Sequence, residues 1–485
     1  MSFNVVRQDL VLRPDPNRLL LRDFDTSGPE QARNVLSRVL AIPETEVTGL
    51  VAQVLAEFAP RQPGLRASLL ARFAKIWKLI PSDQEVAEDR QILIAAYFYA
   101  EYAVESAALF NPSIVRHPDQ TGTKAGSVRI VLSLRATGEG HISSITFRTG
   151  AIDAHGVVKI DAASPFLVEP EVIPNPVYER PLFRRKLFEL GLSTAFTSKI
   201  VDRLEPEFTL SDLRSSLEAE RLQRRKTGVA EENDNAVEAT VMSLAISNYE
   251  IQFRPGQDLS QRIIFPLTPS QRNGIEDARF VRFEDDQSPC YYATYTAYDG
   301  RLVLPQLIET EDFRRFRFST LNGPAVRNKG MALFPRKIRG SYAMLSRQDN
   351  ENIHLMHSDN PHFWHESEVI LRPKHPWELV QIGNCGSPIE TPEGWLVLSH
   401  GVGPIRQYCL GAFLLDLERP NKVLGRLKEP LLVPLEDERT GYLPNVVYTC
   451  GALVHNGVLV LPYGICDHAT RFASVDLKSL LSAMV

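Results

Sequence analysis

Cys385-Gly-Ser-Pro-Ile389, followed closely by Gly394-Trp-Leu-Val-Leu-Ser-His400, joins a short motif of small and polar residues to a strand-like hydrophobic run. The same succession occurs at three other places in the second half of the chain: Ile275-Glu-Asp-Ala-Arg-Phe with Cys290-Tyr-Tyr-Ala-Thr-Tyr-Thr296, Ala332-Leu-Phe-Pro-Arg-Lys-Ile338 with Ser341-Tyr-Ala-Met-Leu-Ser-Arg347, and Tyr448-Thr-Cys-Gly-Ala-Leu453 with Gly457-Val-Leu-Val-Leu-Pro-Tyr463. The segment from Asn111 to Phe147 fits the pattern as a first copy. Apart from a helical insertion, successive copies lie roughly 50 to 65 residues apart, a spacing typical of propeller blades. The sequence therefore predicts a mainly β protein, a five-bladed β-propeller, with a sandwich of unrelated strands as the alternative.

Two regions are predicted to be helical. Apolar residues recur every three or four positions from Glu30 to Phe58, and strong helix formers are frequent from Asp83 to Leu109. Helix signals return between Pro170 and about Ser247. We therefore divide the chain into a helical N-terminal region, residues 1–108, and a propeller domain, residues 109–485, with a helical insertion at about 170–247.

Composition narrows the class of partner. The chain has 485 residues, of which 44% are hydrophobic and 23% charged, with a formal net charge of −5. A nearly balanced charge argues against nucleic acid or an anionic membrane as the partner. No window approaches the apolar length of a membrane span, and the first residues lack the apolar core of a signal peptide. The five Cys contain no CxxC pair, so neither a disulfide scaffold nor a zinc site is indicated, and we expect a cytoplasmic protein.

Polar residues at matching places in the copies are expected to converge on the axis of a propeller. The copies contribute, in order, Asn111 and Arg135; Glu276, Asp277 and Arg279; Lys329, Lys337 and Arg347; Gln381, Glu390 and His400; Asp467 and His468. A few carboxylates among several cations suit an anionic or polyhydroxylated ligand that is handled by acid catalysis.

Several of these motifs resemble one enzyme family. Glycoside hydrolase family 130 has signatures similar to Gly274-Ile-Glu-Asp-Ala-Arg279, Leu333-Phe-Pro-Arg-Lys-Ile-Arg-Gly340, Gly394-Trp-Leu-Val-Leu-Ser-His-Gly-Val402, Leu410-Gly-Ala-Phe-Leu-Leu-Asp-Leu417, Pro444-Asn-Val-Val-Tyr-Thr-Cys-Gly451 and Tyr463-Gly-Ile-Cys-Asp467. The resemblance covers about Leu109 to Leu480 outside the insertion. It implies a five-bladed propeller and inverting phosphorolysis of β-1,2- or β-1,4-linked manno-oligosaccharides to mannose 1-phosphate. Hydrolysis by an inverting β-mannosidase and a non-catalytic carbohydrate-binding propeller are the alternatives.

The resemblance also implies residue roles. Asp277 takes the position of the general acid, with Ala278 where the family usually has Pro. If strand alternation holds, Asp277 faces the site and Glu276 points elsewhere. Residues expected to hold the sugar are Asn111, Arg135, Glu276, Tyr408 and Asp467, with Trp395 as a further stacking candidate; on spacing alone each also fits an ordinary strand, turn or core role.

Phosphate is the expected co-substrate and nucleophile, so the site needs cations rather than a protein base. By resemblance its ligands are Arg347 and His400, together with Lys329 and Gln381. The last two depart from the family pattern, since Lys329 stands where an Arg is usual and Gln381 where a Lys is usual. A hydrolase would need a carboxylate base, for which Glu390 and Glu393 are the visible candidates, although both also fit a turn beside Pro392.

No cofactor beyond phosphate is expected. His354, His357, His362 and His365 form a dense run, but the glycosidic chemistry requires no metal and we expect none there. The expected partners are a manno-oligosaccharide and phosphate, without nucleic acid or membrane. We expect any homo-oligomer to form through the helical regions.

Overall fold

The computed structural model describes residues 3–24, 28–76, 85–173, 177–227, 234–284, 289–300 and 303–484. The chain divides into two compact units. The larger unit comprises Met1–Pro14, Ala107–Ala163 and Glu169–Val485, and the smaller comprises Asp15–Ser106 and Ser164–Val168.

The described part of the larger unit contains five sheets of four or more strands, in each of which neighbouring strands run antiparallel. We name them sheets I to V in the order of their first inner strands. In pairing order, sheet I contains Ala108–Arg116, Val128–Thr137, Ser143–Ile152 and Ile263–Ile264, with Val158–Ile160 paired to the third strand, and sheet II contains Ile275–Phe283, Cys290–Tyr298, Val303–Thr310, Arg315–Thr320, Tyr249–Gln252 and Glu171–Ile173. Sheet III contains Lys329–Leu333, Tyr342–Arg347, Ile353–Ser358 and Ser367–Leu371, and sheet IV contains Gln381–Asn384, Gly394–Val402, Tyr408–Leu415 and Val423–Arg426, with Ile389–Thr391 paired to the second strand. Sheet V contains Val447–Tyr448, Val458–Ile465, Ala469–Asp476 and Val5–Leu12, with Leu453–His455 paired to the second strand.

Each copy of the sequence repeat lies in one of these sheets. The hydrophobic run of each copy supplies the second strand, which pairs on both sides and is almost wholly buried, as Gly394–Val402 is in sheet IV. The prediction of a mainly β protein is therefore confirmed. The described residues give the sheets and their registers; the closed propeller remains an inference from them.

The predicted boundary of the N-terminal region differs from the observed one. Val5–Leu12 is a strand of sheet V, where it pairs antiparallel with Ala469–Asp476. Val5 and Val11 pack against the apolar core of this sheet. Pairing with a strand more than 450 residues away removes an exposed edge, a contact that no local pattern reveals.

The smaller unit contains four helices and a short sheet. The helices are α1 Pro29–Leu40, α2 Glu44–Phe58, α3 Leu65–Ile76 and α4 Glu88–Ala96, and their buried apolar faces form one core. The helix predicted from Asp83 to Leu109 is shorter than expected, because Tyr99–Ala103 is a strand. It pairs with Leu19–Asp23, which also pairs with Phe166–Leu167, so non-local pairing overrides the helical preference of its alanines.

The insertion in the larger unit is helical, as the sequence predicts. It comprises α5 Arg180–Glu189, α6 Ala195–Asp202, α7 Leu210–Thr227 and α8 Asp234–Ile246, with a two-stranded pairing of Val177–Glu179 and Glu207–Thr209. Their buried side chains form a separate core. The chain ends in α9 Leu477–Ser482, which Asp476 caps by accepting from the Ser479 N–H at 2.8 Å.

No single helix in the described ranges is long and apolar enough to cross a membrane. The pair α1 and α2 passes the same length and composition test only together, with a bend of 112° between them.

The pairing of Val5–Leu12 with sheet V yields a stability prediction. Removing residues 1–12 leaves Ala469–Asp476 as an unpaired edge, so the thermal unfolding midpoint should fall by about 5 °C or more. Calorimetry would measure the change, with a variant lacking only Met1 and Ser2 as the control. An unchanged midpoint would show that this strand contributes little to the stability of sheet V.

Candidate active site

The inner strands of sheets I, II and III share one irregularity. Their pairing with the second strand shifts register between Phe110 and Ser113, between Glu276 and Arg279, and between Lys329 and Ala332. Within these shifts Asn111, Asp277 and Gly330 have positive φ values of 48°, 54° and 87°. A bulge of this kind re-aims a side chain that strand alternation would send to the other face.

The bulge of sheet II brings the carboxylates of Glu276 and Asp277 to the guanidinium of Arg135, which lies on the second strand of sheet I. Its Nη2 donates to Glu276 Oε1 at 2.9 Å, and its Nη1 lies 3.4 Å from Asp277 Oδ1. Asp277 Oδ1 also accepts from Asn111 Nδ2 at 2.8 Å. The expectation that Glu276 points away is therefore wrong, because the bulge lets both acidic side chains face Arg135.

Asp467 completes this group, which we call the carboxylate cluster: Asn111, Arg135, Glu276, Asp277 and Asp467. Leu109 N–H donates to His468 O at 2.8 Å, which brings the Asp467 loop beside the inner strand of sheet I. Asp467 interacts electrostatically with Asp277, Arg135 and Glu276.

The two aspartates have opposite pKa shifts. Burial opposes the ionisation of Asp277, but the charges of Arg135, Arg279 and Lys329 outweigh it and lower the pKa of Asp277 to about 2. Burial, reinforced by the Asp277 carboxylate, raises the pKa of Asp467 to about 6. Paired carboxyl groups whose environments separate their pKa values are typical of acid–base sites.

Arg279 links this cluster to two further sheets. Its side chain is 2% exposed. Nε donates to Cys385 O at 2.6 Å, Nη1 to Asp277 O at 2.9 Å and Nη2 to Tyr448 OH at 2.8 Å. Arg279 thus fixes the backbone that carries Asp277 and the start of sheets IV and V.

A second group, the Arg347 cluster, consists of Arg347, Gln381 and His400. Arg347 Nη1 lies 3.0 Å from His400 Nε2. With the Gln381 amide oriented by its hydrogen bonds, its oxygen accepts from the same Nη1 at 2.8 Å and its nitrogen donates to Asn350 O at 3.2 Å. Arg347 Nε is buried and has no hydrogen-bond partner among the described residues. Nη1 of the guanidinium is therefore held by protein acceptors, whereas Nε has no acceptor among the described residues.

The two clusters are neighbours. Lys329 Nζ lies 3.6 Å from Glu276 Oε2, while its backbone pairs with Arg347 across sheet III. The Tyr448 ring that receives the bond from Arg279 packs edge-on against His400, with centroids 5.0 Å apart. Acidic and cationic groups thus line one site.

His400, an expected phosphate ligand, lies on the fully buried second strand of sheet IV. The residue is completely buried, and burial followed by the charges of Arg347 and Arg279 lowers the pKa of His400 well below its usual range. Gln381, the other expected phosphate ligand on this sheet, accepts from Arg347 through its amide oxygen. Tyr408 lies parallel to the His400 ring at 5.9 Å, so it backs the Arg347 cluster.

The remaining predicted residues lie in other surroundings. Trp395 is fully buried and packs edge-on against Phe334, so it belongs to the core. Glu390 is paired with Arg336 at 2.7 Å, and Glu393 is exposed in the turn before Gly394. Among the described residues neither glutamate contacts the carboxylate cluster.

The histidines of the dense run have separate partners. His354 contacts Asp349 at 3.1 Å, His362 lies 3.5 Å from Glu309 and His365 lies 3.4 Å from Arg185. In the described ranges no group of three metal-ligating side chains is found.

Three contributing residues received no role from the sequence: Cys385, Tyr448 and Asn384. Asn384 Nδ2 donates to Gly330 O at 2.7 Å and so fixes the bulge of sheet III. Cys385 Sγ lies 3.8 Å from His400 Nδ1. Cys385 and Tyr448 both lie inside quoted motifs, which is the only signal that could have marked them.

Gly383 yields a prediction about the Arg347 cluster. A Cβ at this position would lie 2.4 Å from His400 Cε1 and 2.8 Å from Arg347 Cδ, so Gly383→Ala must displace both side chains. We expect affinity for inorganic phosphate, measured by calorimetry, to fall at least about tenfold. Gly49→Ala on α2 has nothing within 4 Å and serves as the control. Unchanged phosphate affinity in Gly383→Ala would contradict the assignment of an anion site here.

The raised pKa of Asp467 predicts a pH-dependent stability. The folded protein holds this proton more tightly than the unfolded chain, so this contribution to the free energy of unfolding is lost as pH rises from about 4 to 6. Asp467→Asn should therefore be more stable than wild type at pH 7.5, by roughly 1–3 kcal/mol, and should gain little at pH 4. Urea denaturation at both pH values measures the difference. Equal gains in stability at pH 4 and pH 7.5 would show that the surroundings do not disfavour the ionised form of Asp467.

The second half of the chain is similar to a known protein family. Residues 238–485, just over half of the chain, match the family described as "beta-1,4-mannooligosaccharide phosphorylase". The 1,2-beta-oligomannan phosphorylase of Thermoanaerobacter sp. (strain X514) is 34% identical over 247 residues, which are 49% of this chain and 79% of that protein. The beta-1,4-mannooligosaccharide phosphorylase of Ruminococcus albus is 34% identical over 183 residues, 34% of this chain and 54% of that protein.

A solved structure of beta-1,2-mannobiose phosphorylase from Listeria innocua, in complex with beta-1,2-mannobiose, aligns over 79% of this chain and 93% of that chain, with a TM-score of 0.46 and 22% identity. The family match, and the share of the Thermoanaerobacter protein that is covered at 34% identity, show that the chain belongs to glycoside hydrolase family 130.

Proposed function

We propose that this protein is an inverting phosphorylase of β-mannosides that releases mannose 1-phosphate. The observation that carries the proposal is the combination of a half-buried aspartate, Asp277, with a guanidinium, Arg347, whose buried Nε is unpartnered in the described structure. A phosphorolytic site needs both an acid for the leaving oxygen and a cation for the attacking phosphate.

The proposed roles follow from the two clusters. Arg347 and Lys329 bind phosphate, and a phosphate oxygen forms the new bond to the anomeric carbon from the face opposite the leaving group. The glycosidic C–O bond breaks, and the leaving oxygen takes a proton supplied by Asp277. Asn111, Arg135 and Asp467 hold the mannose that is transferred, since amide, guanidinium and carboxyl groups pair with sugar hydroxyls.

Asp277 must be protonated when it acts as the acid, although its low pKa keeps it ionised in the free protein. Phosphate resolves this difficulty. A dianion near Lys329 and Arg279 offsets the cations that lower the pKa of Asp277, so binding of the nucleophile raises the pKa of the acid.

Phosphorolysis is favoured over hydrolysis by the surroundings of the candidate bases. Glu390 is held by Arg336 through two hydrogen bonds of 2.9 and 2.7 Å, and Glu393 is exposed. An inverting hydrolase needs its second carboxyl group roughly 6.5–9.5 Å from the acid with room for water. Glu276 and Asp467 lie near Asp277 but share Arg135 with it, which suits binding of sugar hydroxyls.

We further propose that sheets I to V are the five blades of a propeller around this site. The support is that all five contribute to one set of contacts: Asn111 and Arg135 from sheet I, Asp277 and Arg279 from sheet II, Arg347 from sheet III, Cys385 and His400 from sheet IV, and Tyr448 from sheet V. Side chains from five separate sheets meet in this way at a propeller axis.

For the linkage we propose β-1,2-mannosides as the first substrates to test. This chain covers 79% of the relative that is named for β-1,2-linked oligomannan. It covers 54% of the relative that is named for β-1,4-linked mannooligosaccharides.

Product analysis tests the proposed function. The protein is incubated with β-1,2-mannobiose, and separately with β-1,4-mannobiose, with and without inorganic phosphate. We expect α-mannose 1-phosphate only when phosphate is present, and faster from the β-1,2 disaccharide, as followed by ³¹P and ¹H NMR. Free mannose formed at a phosphate-independent rate would instead establish a hydrolase.

Substitution of the acid provides the matching test. Asp277→Asn keeps the bond from Asn111 within reach but removes the proton, so kcat should fall at least about a thousandfold. Glu393→Gln, in the exposed turn, should leave kcat within twofold and serves as the control. Activity of Asp277→Asn within tenfold of wild type would refute the assignment of the acid.

A further inference from the structure

The hydrogen-bond chemistry of the Arg347 cluster determines the protonation of His400. A guanidinium nitrogen has only hydrogens to offer, so the 3.0 Å contact from Arg347 Nη1 requires a lone pair on His400 Nε2. In a neutral imidazole the proton must then lie on Nδ1. The atom facing Nδ1 is Cys385 Sγ, at 3.8 Å, within the range for a hydrogen bond to sulfur.

Cys385 is in the state that such a contact needs. It is fully buried, and burial raises the pKa of the Cys385 thiol to about 12, so the sulfur is a neutral acceptor. The backbone N–H of Thr449 also approaches this sulfur. His400 itself stays neutral because burial, Arg347 and Arg279 all disfavour the imidazolium, against the weaker opposing effect of Asp277.

We propose that Cys385 is a positioning residue for phosphate binding: its Sγ accepts a hydrogen bond from His400 Nδ1–H, which keeps the lone pair on Nε2 and so orients Arg347. The inference rests on the proposed function only in taking phosphate as the anion at Arg347. Gln381 supplies the second acceptor for Nη1 at 2.8 Å, so both hydrogens of that nitrogen are directed to protein. Nε is left without a protein acceptor among the described residues.

The arrangement assigns His400 a different task from that of a cationic ligand. With its proton on Nδ1 and its lone pair bound to Arg347, the ring has no hydrogen to donate to phosphate. Parallel stacking with Tyr408 and edge contact with Tyr448 hold the ring in place. Without a Cys385 acceptor, the buried Nδ1–H loses its partner and the other tautomer, which cannot accept from Arg347, becomes competitive.

The test compares Cys385→Ala with Cys385→Ser. We expect Cys385→Ala to raise the KM for phosphate about five- to twentyfold, with kcat and the KM for β-1,2-mannobiose within about twofold. Cys385→Ser restores an acceptor and should return the phosphate KM to within about threefold of wild type. Cys409→Ala, at a buried cysteine on the neighbouring strand of sheet IV, is the control for loss of volume.

Nitrogen-15 NMR of the wild-type protein reads the tautomer directly. The His400 signals, identified by their absence in His400→Asn, should show a protonated Nδ1 and an unprotonated Nε2. A proton found on Nε2, a phosphate KM in Cys385→Ala equal to wild type, or failure of Cys385→Ser to restore it would each overturn the proposal.

Calorimetric binding of inorganic phosphate to the same variants separates this proposal from the proposed function. If the wild-type protein binds phosphate but does not phosphorolyse mannobiose, the proposed function fails while the calorimetric comparison of alanine and serine still decides the role of Cys385. The same order of affinities, with wild type and Cys385→Ser above Cys385→Ala, is the expected result; equal affinities would overturn it.

Discussion

A buried guanidinium that bonds to three sheets sets the geometry on which the site depends. Arg279 donates to Asp277 O in sheet II, to Cys385 O at the start of sheet IV and to Tyr448 OH in sheet V. A charge removed from water must have its donors satisfied, because leaving one unpaired costs several kcal/mol. The three acceptors are therefore not interchangeable neighbours. Through their bonds to Arg279, the positions of Asp277, Cys385 and Tyr448 are fixed relative to one another.

Around this fixed point the site separates charge into two adjacent groups. Three carboxylates share Arg135, while Arg347 is held by neutral acceptors and keeps its charge uncompensated on the ligand side. In the proposed mechanism, this division gives each substrate its own electrostatic environment: the sugar hydroxyls meet the carboxylates, and phosphate meets Arg347. In the proposed mechanism it also makes Asp277 sensitive to bound phosphate, since Lys329, a proposed phosphate ligand, is one of the cations that lower the pKa of Asp277.

The sequence predicts those features that are local or repeated. The five copies of the motif correspond to five sheets because each copy contains its own hydrophobic run, of which Gly394–Val402 is an example. Val5–Leu12 could not be placed, because its partner lies at the other end of the chain. Motifs singled out Asp277, Arg347 and Asp467, which lie in the two clusters. The contact of Glu276 with Arg135 was missed, because a bulge reverses the alternation on which the prediction relied. The tautomer of His400 depends on contacts from two sheets, which no spacing within one segment encodes.

The bulges have a consequence for which acids this scaffold can use. Asp277 occupies a left-handed backbone conformation with φ of 54°, and Asn111 does the same at the matching place in sheet I. Among residues with a Cβ, Asn and Asp tolerate this region best, whereas longer side chains pay roughly 1–2 kcal/mol to enter it. The backbone therefore selects a short acid over a long one before any substrate is present. Lengthening the reach of this acid by Asp→Glu replacement would strain the strand, so variation among proteins built in this way should fall on the residues and substrates that surround the aspartate.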